Sequence, residues 1–422
     1  MRTASVWGAL LGLSDALVEH VELDPDGAGI TAHVRVRKGA ALRCSRCLRR
    51  APRYDQGVGR RRWRHLDAGA LRVWIEADAP RITCRACGVC VAHVPWARAG
   101  AGHTYDFDQQ VAYLATHTSK ATVGQLIRIA WRTVGAIIAR YWRDVEDCFD
   151  RYAGLRRIGI DEIAYKKGHR YLTVVVDHDT GRLVWAGLGR ESATLQEFFE
   201  QLGPARCAQI TLVSADAARF IARAVTANLP HAVQCADPFH VVAWATEALD
   251  FVRAQAWNAA AGRSKDTVLT RQRSSGDAKR LKNSRMALWK NPQNLTEKQR
   301  ATLAWIATTD PRLYRAYLLK EGLRYVFKIK GTEGKQALDQ WLAWAARCRI
   351  PAFIDVARRI NTVRASIDAT LEHGLSNALI ESVNTKIRLI TRIAFGFKDP
   401  HALIALALLS LGGYQPTLPG RN

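Results

Sequence analysis

The chain has 422 residues, with 62 Lys and Arg against 38 Asp and Glu, a formal charge of +24 and a pI near 10.1. A hydrophobic fraction of 48% supplies core for about two to four domains and excludes wholesale disorder. No apolar run reaches the roughly 20 residues of a membrane helix, and nine sparse, clustered cysteines exclude a disulfide framework. The apolar stretch Ala4–Leu13 lacks a cleavage site and runs into an acidic, strand-like segment, which argues against a secretion signal. The expectation is a soluble, cytoplasmic, multi-domain protein with a polyanionic partner. Basic residues cluster at Arg49, Arg50 and Arg53, at Arg60 to Arg64, and from Arg263 to Lys290, a distribution that suits phosphate contact better than a uniform arginine bias would.

In chain order, residues 14–38 alternate apolar and polar around the turn Asp24-Pro25-Asp26-Gly27, which predicts two strands. Cys44-x-x-Cys47 follows. A second strand pair, Leu71–Ala77 and Arg81–Cys84, leads into Cys84-x-x-Cys87, and the Gly/Ala-rich stretch 97–102 reads as a linker. From Asp106 the period becomes helical: helices over 106–117, 120–129 and 131–145 predict a helix-turn-helix. Strands are predicted over 158–163, 171–177 and 182–188, then a helix over 192–202 capped by Ser192, a strand over 210–214, a helix near 217–228 and a short strand over 232–235. That order, β-β-β-α-β-α-β, is a ribonuclease-H-like arrangement. Residues 238–370 read as helical, Trp-rich and basic, and a last amphipathic helix near 377–392 carries Glu381. The predicted fold class is multi-domain α+β. Its parts are a zinc-binding β module (1–100), a helix-turn-helix (101–150), and a ribonuclease-H-like α/β catalytic core (151–422) with a helical insertion at about 240–370.

The two C-x-x-C pairs, Cys44/Cys47 and Cys84/Cys87, each present two thiolates on a knuckle turn, and four thiolates close a tetrahedral structural zinc site. Cys90 is a further candidate ligand. In the second and third helices, Lys120, Thr122, Gln125 and Arg128, then Arg132, Thr133 and Arg140, form polar faces suited to a DNA groove, a small helical spacer being the competing reading. Asp161 lies inside an apolar strand and Asp216 ends another, where a charge is costly unless a cation or donor meets it. On neighbouring strands both would project at one sheet edge, and a third carboxylate, Glu381, would allow a pair of Mg²⁺ ions about 4 Å apart. Arg388, seven residues on, shares the face of Glu381 and is placed to hold a phosphate. Asp237-Pro238-Phe239-His240 puts an acid and an imidazole at a strand-to-helix junction, so Asp237, with His240, competes for the second aspartate or supports it. The basic run Arg271, Arg273, Lys279, Arg280, Lys282 and Arg285 reads equally as a DNA lining or a solvated face.

Taken together, the double C-x-x-C finger, the helix-turn-helix, Gly159-Ile160-Asp161-Glu162, Asp237-Pro238-Phe239-His240-Val241 and Asn377-x3-Glu381-x2-Asn384-x-Lys386-x-Arg388 resemble the D-D-E transposases of bacterial insertion sequences, most closely the ISL-three family. The likeness spans nearly the whole chain. It implies recognition of terminal inverted repeats in double-stranded DNA by the N-terminal modules, with Lys386 and Arg388 also on DNA. It further implies Mg²⁺ or Mn²⁺ at Asp161, Asp216 and Glu381, with Asp216 favoured over Asp237. The chemistry implied is in-line phosphoryl transfer without a covalent protein intermediate: hydrolysis at the element end, then attack of the freed 3′-hydroxyl on target DNA. Bringing two ends together implies a homodimer or higher oligomer on DNA, in a nucleoid-associated, cytoplasmic setting without membrane. Two other functions compete. A zinc-finger/helix-turn-helix regulator without catalysis predicts that Asp161, Asp216 and Glu381 are dispensable, and a ribonuclease-H-like structure-specific nuclease would cut without terminal repeats.

Overall fold

The computed structural model describes residues 3–13, 16–37, 41–215, 218–262 and 275–421. The chain divides into two compact units, residues 1–151 with 389–422, and residues 152–388.

In the first unit α1 (Thr3–Leu10) is followed by β1 (Ala16–Leu23), β2 (Gly29–Val36), β3 (Arg53–Asp55), β4 (Arg60–Ala68), β5 (Leu71–Asp78), β6 (Arg81–Cys84) and β7 (Gly88–Val91). They make two sheets, ordered β1-β2-β5-β4 and β3-β6-β7. The predicted pair 71–77 and 81–84 is therefore two strands of different sheets. Ala79-Pro80 separates them, and Pro80 has no N–H to continue a ladder. The sequence reading missed β4 because arginines occupy its alternate positions. Their guanidiniums lie over Trp74 of β5, Arg62 at 5.1 Å and Arg64 at 5.7 Å from the ring centroid. Trp63, Val73, Ile75, Val34 and Trp96 fill the core on the other face.

The three predicted helices are present as α2 (Tyr105–His117), α3 (Lys120–Ile127) and α4 (Trp131–Cys148). Thr104 and Ser119 cap the first two, accepting from the amides of Phe107 and Thr122. The turn between α3 and α4 puts Arg128 in the left-handed region, at φ 59°, and brings the Ile129 carbonyl so close to Gly124 that a Cβ there would lie 2.9 Å from its oxygen. The stretch 97–102 is not a free linker: Ala97 and Ala101 are buried, and Arg98 pairs with Asp108 and Asp144. The segment 389–422, assigned from sequence to the catalytic domain, clusters with this unit. Its helix Pro400–Leu411 buries Ala402, Leu403 and Ala405 to Leu409 and packs on α4, where Gly135 leaves room beside Ala402.

The second unit is built on β8 (Arg157–Lys166), β9 (Arg170–Asp177), β10 (Leu183–Leu188), α5 (Ser192–Leu202), α6 (Pro204–Cys207), β11 (Leu212–Ala215), α7 (Arg219–Asn228), β12 (Val233–Ala236) and α8 (Pro238–Ala260). The sheet runs β10-β9-β8-β11-β12, antiparallel through β8 and then parallel, with Ser214 opposite both Gly159 and Cys235. Ser192 does not cap α5; its hydroxyl donates to the Phe220 carbonyl at 3.3 Å, and Glu191 holds the cap position. One sheet face packs Ile158, Ile160, Val175 and Val213 against Phe198 and Ile221. On the other, the helix Ala378–Ile393 crosses β8, where a side chain on Gly159 would overlap Ile380 and His178. From Pro238 to His373 the described elements are helical, around Trp244, Leu249, Trp341 and Phe353. Among the described residues no helix is long and apolar enough to cross a membrane.

Candidate active site and metal centre

The cysteine site is built from two knuckles. Cys44 and Cys47 sit on a turn closed by the Leu48 amide donating to the Cys44 carbonyl at 2.9 Å, and Cys84 and Cys87 sit on the β6–β7 turn. In each knuckle the residue after the second cysteine adopts the left-handed conformation, Leu48 at φ 58° and Gly88 at φ 72°. The four sulfurs lie within 4.8 Å of one another. Cys90 approaches Cys44, Sγ to Sγ 3.4 Å, but is not one of that set. Burial works against the Cys44 thiolate, yet hydrogen bonds from the amides of Arg46 and Cys47 and from the Cys90 and Cys47 thiols bring its pKa down to about 6. Hydrogen bonding to Cys47, with burial, pushes Cys87 up to about 12. Four converging sulfur donors fit zinc, whose charge favours the thiolate form of all four.

On the helix-turn-helix, Thr122, Gln125 and Arg132 are exposed and Thr133 is half-buried. Lys120 is not on that face. It is buried, its ammonium 3.8 Å from the Phe397 ring centroid and 5.6 Å from that of Trp131, and burial lowers its pKa. Arg128 is exposed but donates to the Ala70 carbonyl at 2.8 Å and pairs with Asp67. Arg140 pairs with the buried Asp108. These three contribute to the unit's own packing, a role that helical spacing cannot distinguish from groove contact. In the insertion, Arg280 lies over Trp305 at 4.1 Å and Arg285 over Trp289 at 3.9 Å, so its basic residues serve partly as covers for tryptophans, while Arg271 and Arg273 lie outside the described residues.

Asp161 follows Ile160 in mid-β8, opposite which β11 ends at Ala215, and Asp237 directly follows β12, so both stand at the edge where β11 and β12 end. Asp161 accepts from the Glu162 amide through Oδ1, and from Asn384 Nδ2 through Oδ2, each at 2.8 Å. Asn384 is buried one helical turn from Glu381, so this bond ties β8 to the helix that carries the third carboxylate. Asn377 ties the same helix to the other two strands. Its Oδ1 accepts from Ser214 of β11 at 2.8 Å, its amide donates to Asp237 Oδ1 at 3.3 Å, and its carbonyl accepts from the Glu381 amide at 2.9 Å. Because the Ser214 proton is directed to Asn377, His178 Nε2 at 2.7 Å donates to Ser214. Asp237 is buried and caps α8, accepting from the His240 amide at 3.3 Å and from His240 Nδ1 at 2.8 Å. Burial opposes its charge, but the bonds from His240 and from the Asn377 amide outweigh this and hold the carboxyl below its usual range. Asp216 lies outside the described residues. Glu381, Lys386 and Arg388 are exposed along one helix. Asp161, Asp237 and Glu381 are not a set with oxygens all within 4.8 Å of one another, as the cysteines are. Beside Asp161 the buried Asn384 Oδ1 has no donor among the described residues, so the edge offers the oxygen-rich, under-satisfied surroundings that a hard divalent cation fits.

A transposase family model of the DDE class, ISL3 type, matches residues 158–407. A model for the helix-turn-helix domain of transposase family ISL3 matches 92–142, and one for the zinc-finger of the IS204/IS1001/IS1096/IS1165 transposases matches 41–87. The chain belongs to the ISL3 family of insertion-sequence transposases. It is 59% identical to a "Transposase for insertion sequence element IS1557" from Mycobacterium tuberculosis, in strains CDC 1551 / Oshkosh and ATCC 25618 / H37Rv, an alignment covering 100% of this chain and 98% of the relative. It is 28% identical to the "Transposase for insertion sequence element IS1001" of Bordetella parapertussis, covering 90% and 92% respectively. This ISL3 protein is thus a DNA-binding, DNA-cleaving transposase, a class that works with a divalent metal, and its four-cysteine ribbon suits zinc. The zinc-finger match includes Cys44, Cys47, Cys84 and Cys87 and stops before Cys90. What the sequence reading missed is how Asn377 and Asn384 work. Both stand in the Asn-x3-Glu-x2-Asn segment, but only the folded chain shows that they hold strands.

Proposed function

We propose that this ISL3 transposase binds the terminal inverted repeats of its element through the ribbon and helix-turn-helix, cleaves there, and joins the freed 3′-hydroxyl to target DNA. The active site comprises Asp161, Asp216 and Glu381. The observation that carries this reading is the Asp161–Asn384 hydrogen bond, which joins strand and Glu381 helix across 223 residues of sequence. A five-stranded sheet with three antiparallel strands followed by two parallel ones supports a ribonuclease-H-like core. Asp216 is favoured over Asp237 for two reasons. In sequence Asp216 directly follows β11, which pairs with β8 and has Ala215 opposite Ile160, whereas Asp237 follows β12, one strand further from Asp161. Asp237 has a structural task, capping α8 through the His240 amide and accepting from the Asn377 amide.

Two Mg²⁺ ions, with Mn²⁺ as substitute, would be held by Asp161, Asp216 and Glu381 and would supply Lewis-acid stabilisation of the attacking and leaving oxygens. The chain's own contribution is orientation. Asn384 fixes the plane of the Asp161 carboxylate, and Asn377 anchors the first turn of the helix so that Glu381 faces the strand ends. Arg388, on the same face, holds a phosphate, and Lys386 adds charge along the strand. Thr122, Gln125, Arg132 and Thr133 face DNA, while Cys44, Cys47, Cys84 and Cys87 hold zinc in the ribbon. Synapsis of two ends calls for a homodimer or higher oligomer, acting on the nucleoid in the cytoplasm. The test is strand joining: a pre-cut element end with Mg²⁺ gives a joined product with wild type and none with Glu381→Gln, which still binds the end. Joining by Glu381→Gln at the wild-type rate would overturn the assignment.

A further inference from the structure

We propose that His20, Glu22 and His33 form a second transition-metal site, for a zinc-type ion, on the outer face of the four-stranded sheet. A bulge in β1 creates it. Val18 pairs with Val34, and in a regular ladder Glu19 would then oppose His33; the register shift puts His20 there instead, with Glu22 two residues along on the same face. The two imidazoles stack with centroids 4.0 Å apart and planes 12° from parallel, and one ligand atom from each of the three side chains lies within 4.8 Å of the others.

His33 Nε2 stands 2.9 Å from Glu22 Oε1, a separation bridged either by a proton that His33 donates to the carboxylate or by a metal. A proton serves only that pair and leaves the nearby His20 nitrogen without a role, whereas a metal uses all three donors. The surroundings also fit a metal ligand. His33 is buried, its Nδ1 makes no hydrogen bond among the described residues, and Glu76 Oε1 lies 3.6 Å from it. Glu76 is fixed by Arg60 Nε at 3.1 Å and Arg62 Nε at 3.7 Å, so it is a held carboxylate behind an imidazole, the arrangement that orients metal-binding histidines. Glu22, largely exposed, is left facing the two histidines. Two imidazoles and a carboxylate select zinc, cobalt, nickel or copper over Mg²⁺. Three protein donors leave a coordination position to solvent, and the bound ion would staple β1 to β2.

Equilibrium dialysis of the full chain against zinc, with Mg²⁺ in excess to occupy the carboxylate edge, tests this. Wild type takes up about two equivalents, one at the cysteines and one here. His20→Ala, at an exposed position that leaves folding intact, loses one, and Cys84→Ser loses the other. With Co²⁺ the second equivalent adds visible bands without thiolate charge transfer, and those bands disappear in His20→Ala and His33→Gln. Saturation of wild type at one equivalent would overturn the site, as would persistence of the second equivalent in both histidine variants.

Discussion

The cysteine ribbon and the edge proposed to hold the catalytic carboxylates are assembled in opposite ways. In the ribbon the folded chain brings four sulfurs within 4.8 Å of one another using two short knuckles on neighbouring turns. At the edge, Asp161 and Glu381 come from a strand and a distant helix and are related through intermediaries, Asn384 on one side and Asn377 on the other. A structural site must be stable without its partner molecule. A catalytic one must admit DNA, so its carboxylates are aimed by second residues instead of being packed against one another.

Asp161→Asn or Glu381→Gln removes a carboxylate that meets charge in the transition state, and end cleavage should fall by at least about 10³-fold with end binding retained. Cys84→Ser should release the ribbon zinc and weaken end binding while strand joining of a non-specific pre-cut end survives, measured by metal analysis and gel shift. Asn384→Ala should lower cleavage by about 10- to 100-fold and raise the Mg²⁺ concentration needed for half-maximal rate; an unchanged Mg²⁺ requirement would count against an orienting role.

A smaller effect concerns pH. His65 is buried beside Thr104, and burial, assisted by Arg64, lowers its pKa from 6.5 to about 4. The unfolded chain therefore binds a proton that the folded one refuses, so stability is full above pH 6.5 and is lost as pH falls toward 4. The loss is about 2 kcal/mol by pH 5. Hydrogen exchange across β4 and β5 should show this in wild type and not in His65→Gln. Least of all, Asp237→Ala should cost about 1 kcal/mol of stability as a lost helix cap, with cleavage changed less than tenfold, read from thermal unfolding and initial rates.

Much of this was legible in the sequence because it is written locally. The C-x-x-C pairs, the three helices between 105 and 148 and the β-β-β-α-β-α-β order all follow from short-range spacing. What escaped depends on distant partners. β4 hides its strand character because its arginines lie over Trp74. Lys120 looks like a groove contact until Trp131 and Phe397 enclose it. Helix Pro400–Leu411 is apolar nearly all round, which announces burial but not against what. The carboxylates were visible singly. That Asp237 caps a helix and accepts from Asn377, while Asp161 accepts from Asn384, is long-range pairing that no periodicity records.

The proposed active site uses Asp161, Asp216 and Glu381, with Asp237 holding the frame. It is tested most directly by Mg²⁺-dependent cleavage of a labelled duplex carrying the element end, comparing Asp216→Asn with Asp237→Asn. Asp216→Asn should not cut, and Asp237→Asn should cut at near the wild-type rate. Full activity of Asp216→Asn together with an inactive but folded, end-binding Asp237→Asn would contradict it.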